Sequence, residues 1–220
     1  AQTFNDMADG LENAEQQRRT LTADVAHELR TPLSNLQGYL EAIKDGVLEA
    51  DQATIENLYQ QVMHLSRLVE DLRMLALAEA GSLSLYRAPE KVDEMVSATV
   101  AAFRPRASEK QIALSVDCAP GLPPVFADRT RIGQVLANLI ENAITYTPEG
   151  GTVKVTALAN GPGGVRVVVE DSGVGIPADK LPLVFERFYR VDPSRARSTG
   201  GAGLGLTIAK RFVEAHGGKI

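Results

Sequence analysis

The chain holds a single cysteine, Cys118, among its 220 residues. That excludes a disulfide framework within the chain and gives no zinc-site spacing, so Cys118 reads as a small residue at a strand end. Basic residues are not in excess: the net charge is -5, and no basic stripe offsets it, which argues against a general nucleic-acid binder. No stretch approaches the apolar length of a membrane span, and nothing reads as a secretory signal. The stretch itself is therefore expected to be soluble. Glycine is almost missing from the first third, where only Gly10, Gly38 and Gly46 occur. From Arg104 onward, glycine and proline punctuate short β-branched runs. This change of texture predicts two modest domains rather than one large one.

Phe4, Met7, Leu11, Ala14, Leu21 and Val25 fall on alternating three- and four-residue steps, with Arg18 interrupting the seam. That is a coiled-coil period. It continues less strictly through Leu29, Leu36, Leu40, Ile43 and Val47, predicting one helix from near Phe4 to Asp45, stopped by Gly46. A second amphipathic helix is predicted from about Asp51 to Ala80, with Ile55, Leu58, Val62, Leu65, Leu72 and Leu75 on one face and Gly81 after its end. Such a hairpin has too little partner surface to bury both stripes alone, so two copies forming a four-helix bundle is the natural solution.

Beyond Gly81 the pattern alternates. A helix over Val92–Ala107, a strand over Ile112–Val116, a turn over Pro120–Pro124 and a short buried strand over Val125–Ala127 are expected. Asp128 is placed to cap a helix running to about Thr145. Strands over Thr152–Leu158 and Val165–Glu170 bracket an Asn-Gly-Pro-Gly-Gly turn. A last helix begins near Gly205 and ends at His216-Gly217-Gly218. The expected class is α+β: a long helical hairpin, then a two-layer sandwich with helices on one face of a sheet.

Several residues carry chemistry. His27 stands directly before Glu28 on the polar side of the first helix, and Pro32 removes the N–H that would bond the Glu28 carbonyl, which should bend the helix beside the imidazole. Taken alone, a solvated helix histidine is the commoner reading. Asn138 and Asn142 lie four apart and share a helix face. Their amide oxygens suit an octahedral Mg²⁺ that keeps its waters and phosphates, although a capping or solvated role fits about as well. One step on, Tyr146 offers a hydroxyl. In Asp171-Ser172-Gly173-Val174-Gly175, Gly173 and Gly175 let the backbone approach a flat ligand while Asp171 accepts from an exocyclic amine; a plain polar turn is equally compatible. Gly201, Gly203, Leu204 and Gly205 open a helix whose N–H groups and dipole face phosphates. A dinucleotide fingerprint fails because Leu206 occupies the place of the third glycine, and a P-loop lacks its Gly-Lys-Ser/Thr. Thr31 stands where a zinc-protease helix needs its second histidine.

The His27 run, the Asn138–Asn142 pair, the Asp171 glycine turn, Phe185-Glu186-Arg187-Phe188-Tyr189-Arg190 and the Gly201–Gly205 loop occur in the order found in sensor histidine kinases. The chain resembles that family over nearly its whole length. The resemblance implies the end of a linker module at residues 1–17, a dimerisation and histidine phosphotransfer domain at 18–82, and a catalytic ATP-binding domain at 83–220. That last fold is shared with gyrase, heat-shock chaperone and mismatch-repair ATPases. It further implies a homodimer, a response-regulator receiver domain as partner, ATP and Mg²⁺ as ligands, and a parent chain that is a bacterial inner-membrane sensor with this portion in the cytoplasm.

Carried over residue by residue, the resemblance makes His27 the acceptor of the γ-phosphoryl group of ATP. Glu28 takes a ring proton or fixes the tautomer, and Thr31 orients water for the reverse, phosphatase activity. Asn142 is the magnesium ligand with Asn138 as second candidate, Asp171 reads adenine, and Arg190 contacts phosphate from a lid over about 186–203. Thr145 departs from the pattern, standing where many members carry a Lys or Arg that reaches the phosphates. The chain also ends at Ile220, just after a Gly-Gly turn that normally leads into further strands, so an unpaired sheet edge is expected. An ATP-hydrolysing clamp of the wider fold typically has a Glu where Asn138 stands, and an Asn cannot take water's proton. A degenerate dimerisation scaffold is opposed by the intact glycine turns and His27. His64 is expected to be solvated and His216 to meet the dipole of the last helix.

Overall fold

A computed structural model describes residues 2–191 and 202–220, with side chains from Thr22 onward. The chain divides into two compact units, Ala1–Arg73 and Met74–Ile220. The division falls inside the second long helix, before the 82/83 boundary expected from the resemblance.

Helix α1 spans Gln2–Lys44 and runs through Pro32. Pro32 is buried, and beside it the Thr31 hydroxyl donates to the His27 carbonyl at 3.4 Å. Such back-bonding gives part of the local carbonyl network a partner where the proline cannot donate. Gly46, at φ 71, ends the helix in the left-handed conformation that a side chain would resist. Helix α2 spans Gln52–Glu79, and the Asp51 carboxylate caps it by accepting the Thr54 N–H at 2.8 Å. The bonds Asp51 accepts hold its carboxyl below the usual carboxylate range. No described helix is long and apolar enough to cross a membrane.

The second unit is built on a three-stranded sheet of order β2-β4-β5: Ala113–Cys118, Thr152–Ala159 and Val165–Asp171. Strand β4 is central, parallel to β2 and antiparallel to β5. Its residues alternate as the pleat demands: Val153, Val155 and Ala157 are each 0% exposed, while Lys154 points to solvent. Helices α3 (Val92–Glu109) and α4 (Arg129–Tyr146) cover that buried face. Val96, Val100, Ile140 and Ile144 fill the space between helices and sheet. Helix α5, Gly205–Ala215, packs on α4. This is the two-layer α+β arrangement expected.

Two local expectations need correction. A strand β1, Ala88–Glu90, pairs antiparallel with β3, Val125–Ala127, as a separate two-stranded sheet. Nor is β3 buried throughout, since Phe126 is 66% exposed and only Ala127 is buried. The Asp128 cap is as read, accepting from the N–H groups of Thr130 and Arg131. It also accepts the N–H of Tyr86, just before β1, at 3.0 Å. Burial pushes the Asp128 carboxyl up, but these three N–H groups and the Arg131 charge outweigh it and leave it lowered.

Candidate functional site

In the second unit, local geometry gathers four short segments. Helix α4 carries Asn138 and Asn142 on one half-buried face. The Asn138 amide nitrogen donates to the Gly205 carbonyl at 2.9 Å, joining that face to the start of α5. At the other end of α4, Tyr146, 41% exposed, meets the turn that follows β5. An added Cβ on Gly173 would stand 2.6 Å from an Asp171 carboxylate oxygen and 2.8 Å from the Tyr146 carbonyl oxygen, so glycine is required there. Asp171 shapes the same turn by accepting the Gly173 N–H at 2.9 Å, and its side chain is exposed. Gly175, at φ 69, continues the turn.

The start of α5 has no side-chain cap, so its first N–H groups are not taken by a local acceptor of that kind. Leu204 is 1% exposed, so its side chain is an anchor of the loop in the core. Gly203 sits at φ 73, and a Cβ there would lie 2.8 Å from the Phe188 carbonyl carbon. That close approach brings the Phe185–Arg190 stretch, with half-buried Arg190, to the foot of the loop. Gly201 and lid residues 192–201 lie outside the described residues.

In the first unit, His27 is exposed on α1 and Glu28 is half-buried. Thr31 is exposed, one turn from His27. His64 is half-buried rather than solvated. Burial first, and then the Arg67 charge, lower its pKa, against an opposing pull from Glu28. His216 does meet the end of α5, but as more than a dipole partner. Its Nδ1 lies 2.6 Å from the Phe212 carbonyl, and its Nε2 accepts the Asp128 N–H at 3.0 Å. Because a backbone N–H can only donate, the ring is the neutral Nδ1–H tautomer.

Residues 17–81 match the family described as His Kinase A (phospho-acceptor) domain, and residues 127–220 match Histidine kinase-, DNA gyrase B-, and HSP90-like ATPase. A solved structure described as Acinetobacter baumannii histidine kinase AdeS superposes with a TM-score of 0.72 at 35% identity, covering 86% of each chain. The chain belongs to the sensor histidine kinase family. Among curated proteins, the signal transduction histidine-protein kinase BaeS of Escherichia coli (strain K12) is 41% identical over 220 residues, all of this chain and 47% of that protein. The chain thus spans about half the length of the curated relatives it matches. Histidine kinase ThkA, solved in complex with response regulator protein TrrA, aligns at a TM-score of 0.69 and 28% identity over 90% of this chain and 55% of that one.

The chain offers a defined set of donors for a metal. Among the described residues, no group of three or more His, Cys, Asp or Glu side chains could hold an ion. What α4 presents instead are the neutral amides of Asn138 and Asn142. With the Asn138 nitrogen committed to Gly205, its oxygen is left as an acceptor. One or two amide oxygens without a carboxylate cage fit a Mg²⁺ that takes its other ligands from phosphate and water. Sequence reading missed several supports of this region. The Thr207 hydroxyl donates to the Phe185 carbonyl at 2.9 Å, the Ser172 hydroxyl accepts the Thr152 N–H at 2.9 Å, and Glu79 pairs with Arg187. None has a motif, because each depends on a partner distant in sequence.

Proposed function

We propose that this chain binds Mg–ATP and phosphorylates His27, then passes the phosphoryl group to an aspartate of a response-regulator receiver domain. The observation that carries the reading is the convergence of Asn138, the Asp171 turn and the Gly203–Gly205 loop around α4, in a chain whose other unit exposes His27. In this reading residues 18–82 dimerise and accept the phosphoryl group, residues 83–220 bind nucleotide, and 1–17 close a preceding linker. Asp171 accepts from the adenine amine, Gly173 and Gly175 admit the ring, and Tyr146 lines it. Gly201, Gly203, Leu204 and Gly205 give backbone N–H groups to the phosphates, joined by Arg190. Asn142, with Asn138, would hold Mg²⁺, whose charge offsets that developing on the transferred group.

A neutral ring nitrogen of His27 attacks the γ-phosphorus, the bond to the β-phosphate oxygen breaks, and ADP leaves. Glu28 takes the ring proton or fixes the tautomer. The exposure of His27 suits this, since both a nucleotide and a receiver domain must reach it in turn. The ThkA–TrrA complex supports the partner class. Acid-labile labelling from γ-labelled ATP tests the reading, because phosphohistidine is lost in acid and phosphoserine is not.

The proposed homodimer is supported by the apolar surface of the hairpin, where Leu40 is 56%, Ile55 50% and Val62 47% exposed. A second copy covers such stripes. Leu40→Glu with Leu65→Glu is expected to give monomers or unfolding by sedimentation, whereas a compact wild-type monomer at micromolar concentration contradicts it. The parent protein is proposed to be an inner-membrane sensor with this portion in the cytoplasm, as expected from the family; recovery of the full-length protein in the soluble fraction of cells would oppose this.

Thr31 is proposed to orient water for dephosphorylating the regulator. Its bond to the His27 carbonyl is long, at 3.4 Å, and leaves the exposed hydroxyl able to turn outward. Thr31→Ala is expected to keep autophosphorylation near wild type while losing regulator dephosphorylation. If both activities fall together, Thr31 serves the helix beside Pro32 instead.

A further inference from the structure

Phe188 adopts φ 58, a left-handed conformation that is costly for a bulky side chain and persists only where its surroundings fix it. The start of α5 supplies two fixings. The Phe188 N–H donates to the Gly203 carbonyl at 3.1 Å, and the Thr207 hydroxyl donates to the Phe185 carbonyl at 2.9 Å. A third comes from the end of α2, where the Glu79 carboxylate pairs with the guanidinium of Arg187, the residue directly before the strained one. The two side chains are only 24% and 27% exposed, so solvent and salt screen this pair less than an ordinary surface pair. Glu79 also projects from a fixed base, since Met74 and Leu75, about a turn earlier, are 1% and 2% exposed.

We propose that Glu79 is a positioning residue for phosphoryl transfer. By holding Arg187 it fixes the strained segment that carries Arg190, so the last turn of α2 acts directly on the foot of the nucleotide lid. The inference rests on the kinase reading above, in which Arg190 contacts phosphate. A contact aimed at charge that develops during transfer depends steeply on placement, so loosening its support should lower turnover more than binding. Neither Glu79 nor Arg187 need touch the nucleotide for this.

The test uses the whole chain. It compares acid-labile labelling at saturating ATP, ATP affinity by calorimetry and the melting temperature across Glu79→Gln, Arg187→Lys and the swap Glu79→Arg with Arg187→Glu. Labelling by Glu79→Gln is expected to fall about tenfold, with affinity changed about threefold or less and melting little altered. Arg187→Lys, which keeps the charge, should retain most activity. The swap should recover activity that either reversal alone loses. Wild-type labelling in Glu79→Gln, a swap without recovery, or a loss of activity that only follows a loss of melting temperature overturns the inference. A wild-type chain that labels no histidine would overturn the kinase reading as well, which separates the two failures.

Discussion

His27→Gln is expected to bring acid-labile labelling to background while leaving ATP affinity at the wild-type value. Glutamine keeps a polar side chain of good helix propensity at an exposed site, so α1 should not be disturbed. The segments assigned to nucleotide all belong to the unit Met74–Ile220, whereas the substitution belongs to Ala1–Arg73. The other two histidines are poor substitutes. Both ring nitrogens of His216 are engaged, one with the Phe212 carbonyl and one with the Asp128 N–H. Phosphorylating Nε2 would break the bond that ties α5 to the cap of α4, and phosphorylating Nδ1 would break the one that closes the end of α5. His64 is half-buried, which limits the approach of a nucleotide. Residual acid-labile phosphate in His27→Gln would defeat the assignment.

The second large effect is expected at Asp171. One carboxylate oxygen holds the Gly173 N–H at 2.9 Å, which leaves the other to accept from an amine of the bound base. Asparagine can keep the first bond with its carbonyl oxygen, but then presents an N–H₂ group where an acceptor is needed. Losing one charge-assisted hydrogen bond costs about 1.5–3 kcal/mol, or roughly 10- to 150-fold in dissociation constant. Because the turn bond survives, the melting temperature should change little. Calorimetry with ATP checks this, and unchanged affinity in Asp171→Asn would remove Asp171 from the adenine role.

What the sequence made legible was mostly local. The hairpin could be read from its three- and four-residue apolar steps, and the Asp128 cap from a capping residue just before an apolar-periodic run. Strands β4 and β5 were legible as two β-branched runs bracketing a glycine-rich turn. Strand β1 was not, because Ala88-Pro89-Glu90 has no alternation and carries a proline that only an edge position tolerates. Phe126 looks like a core residue by composition, yet β3 pairs only with β1 and leaves that side chain outside. The roles of His64 and His216 turned on neighbours far along the chain, and Asp128 gained its third donor from Tyr86 in the same way. The candidate site divides along the same line. Its glycines and asparagines stand in recognisable runs, whereas the pair that steadies its lid foot, Glu79 and Arg187, is a product of tertiary folding.

In the proposed reaction the chain moves the γ-phosphoryl group of ATP onto a histidine. Incubating the wild-type protein with γ-labelled ATP and Mg²⁺, then dividing the sample between acid and alkali, tests it most directly. The expected result is label on the protein that survives alkali, disappears in acid and maps to the peptide containing His27. Label that survives acid, or labelled phosphate released to solution with none passing through the protein, would contradict it.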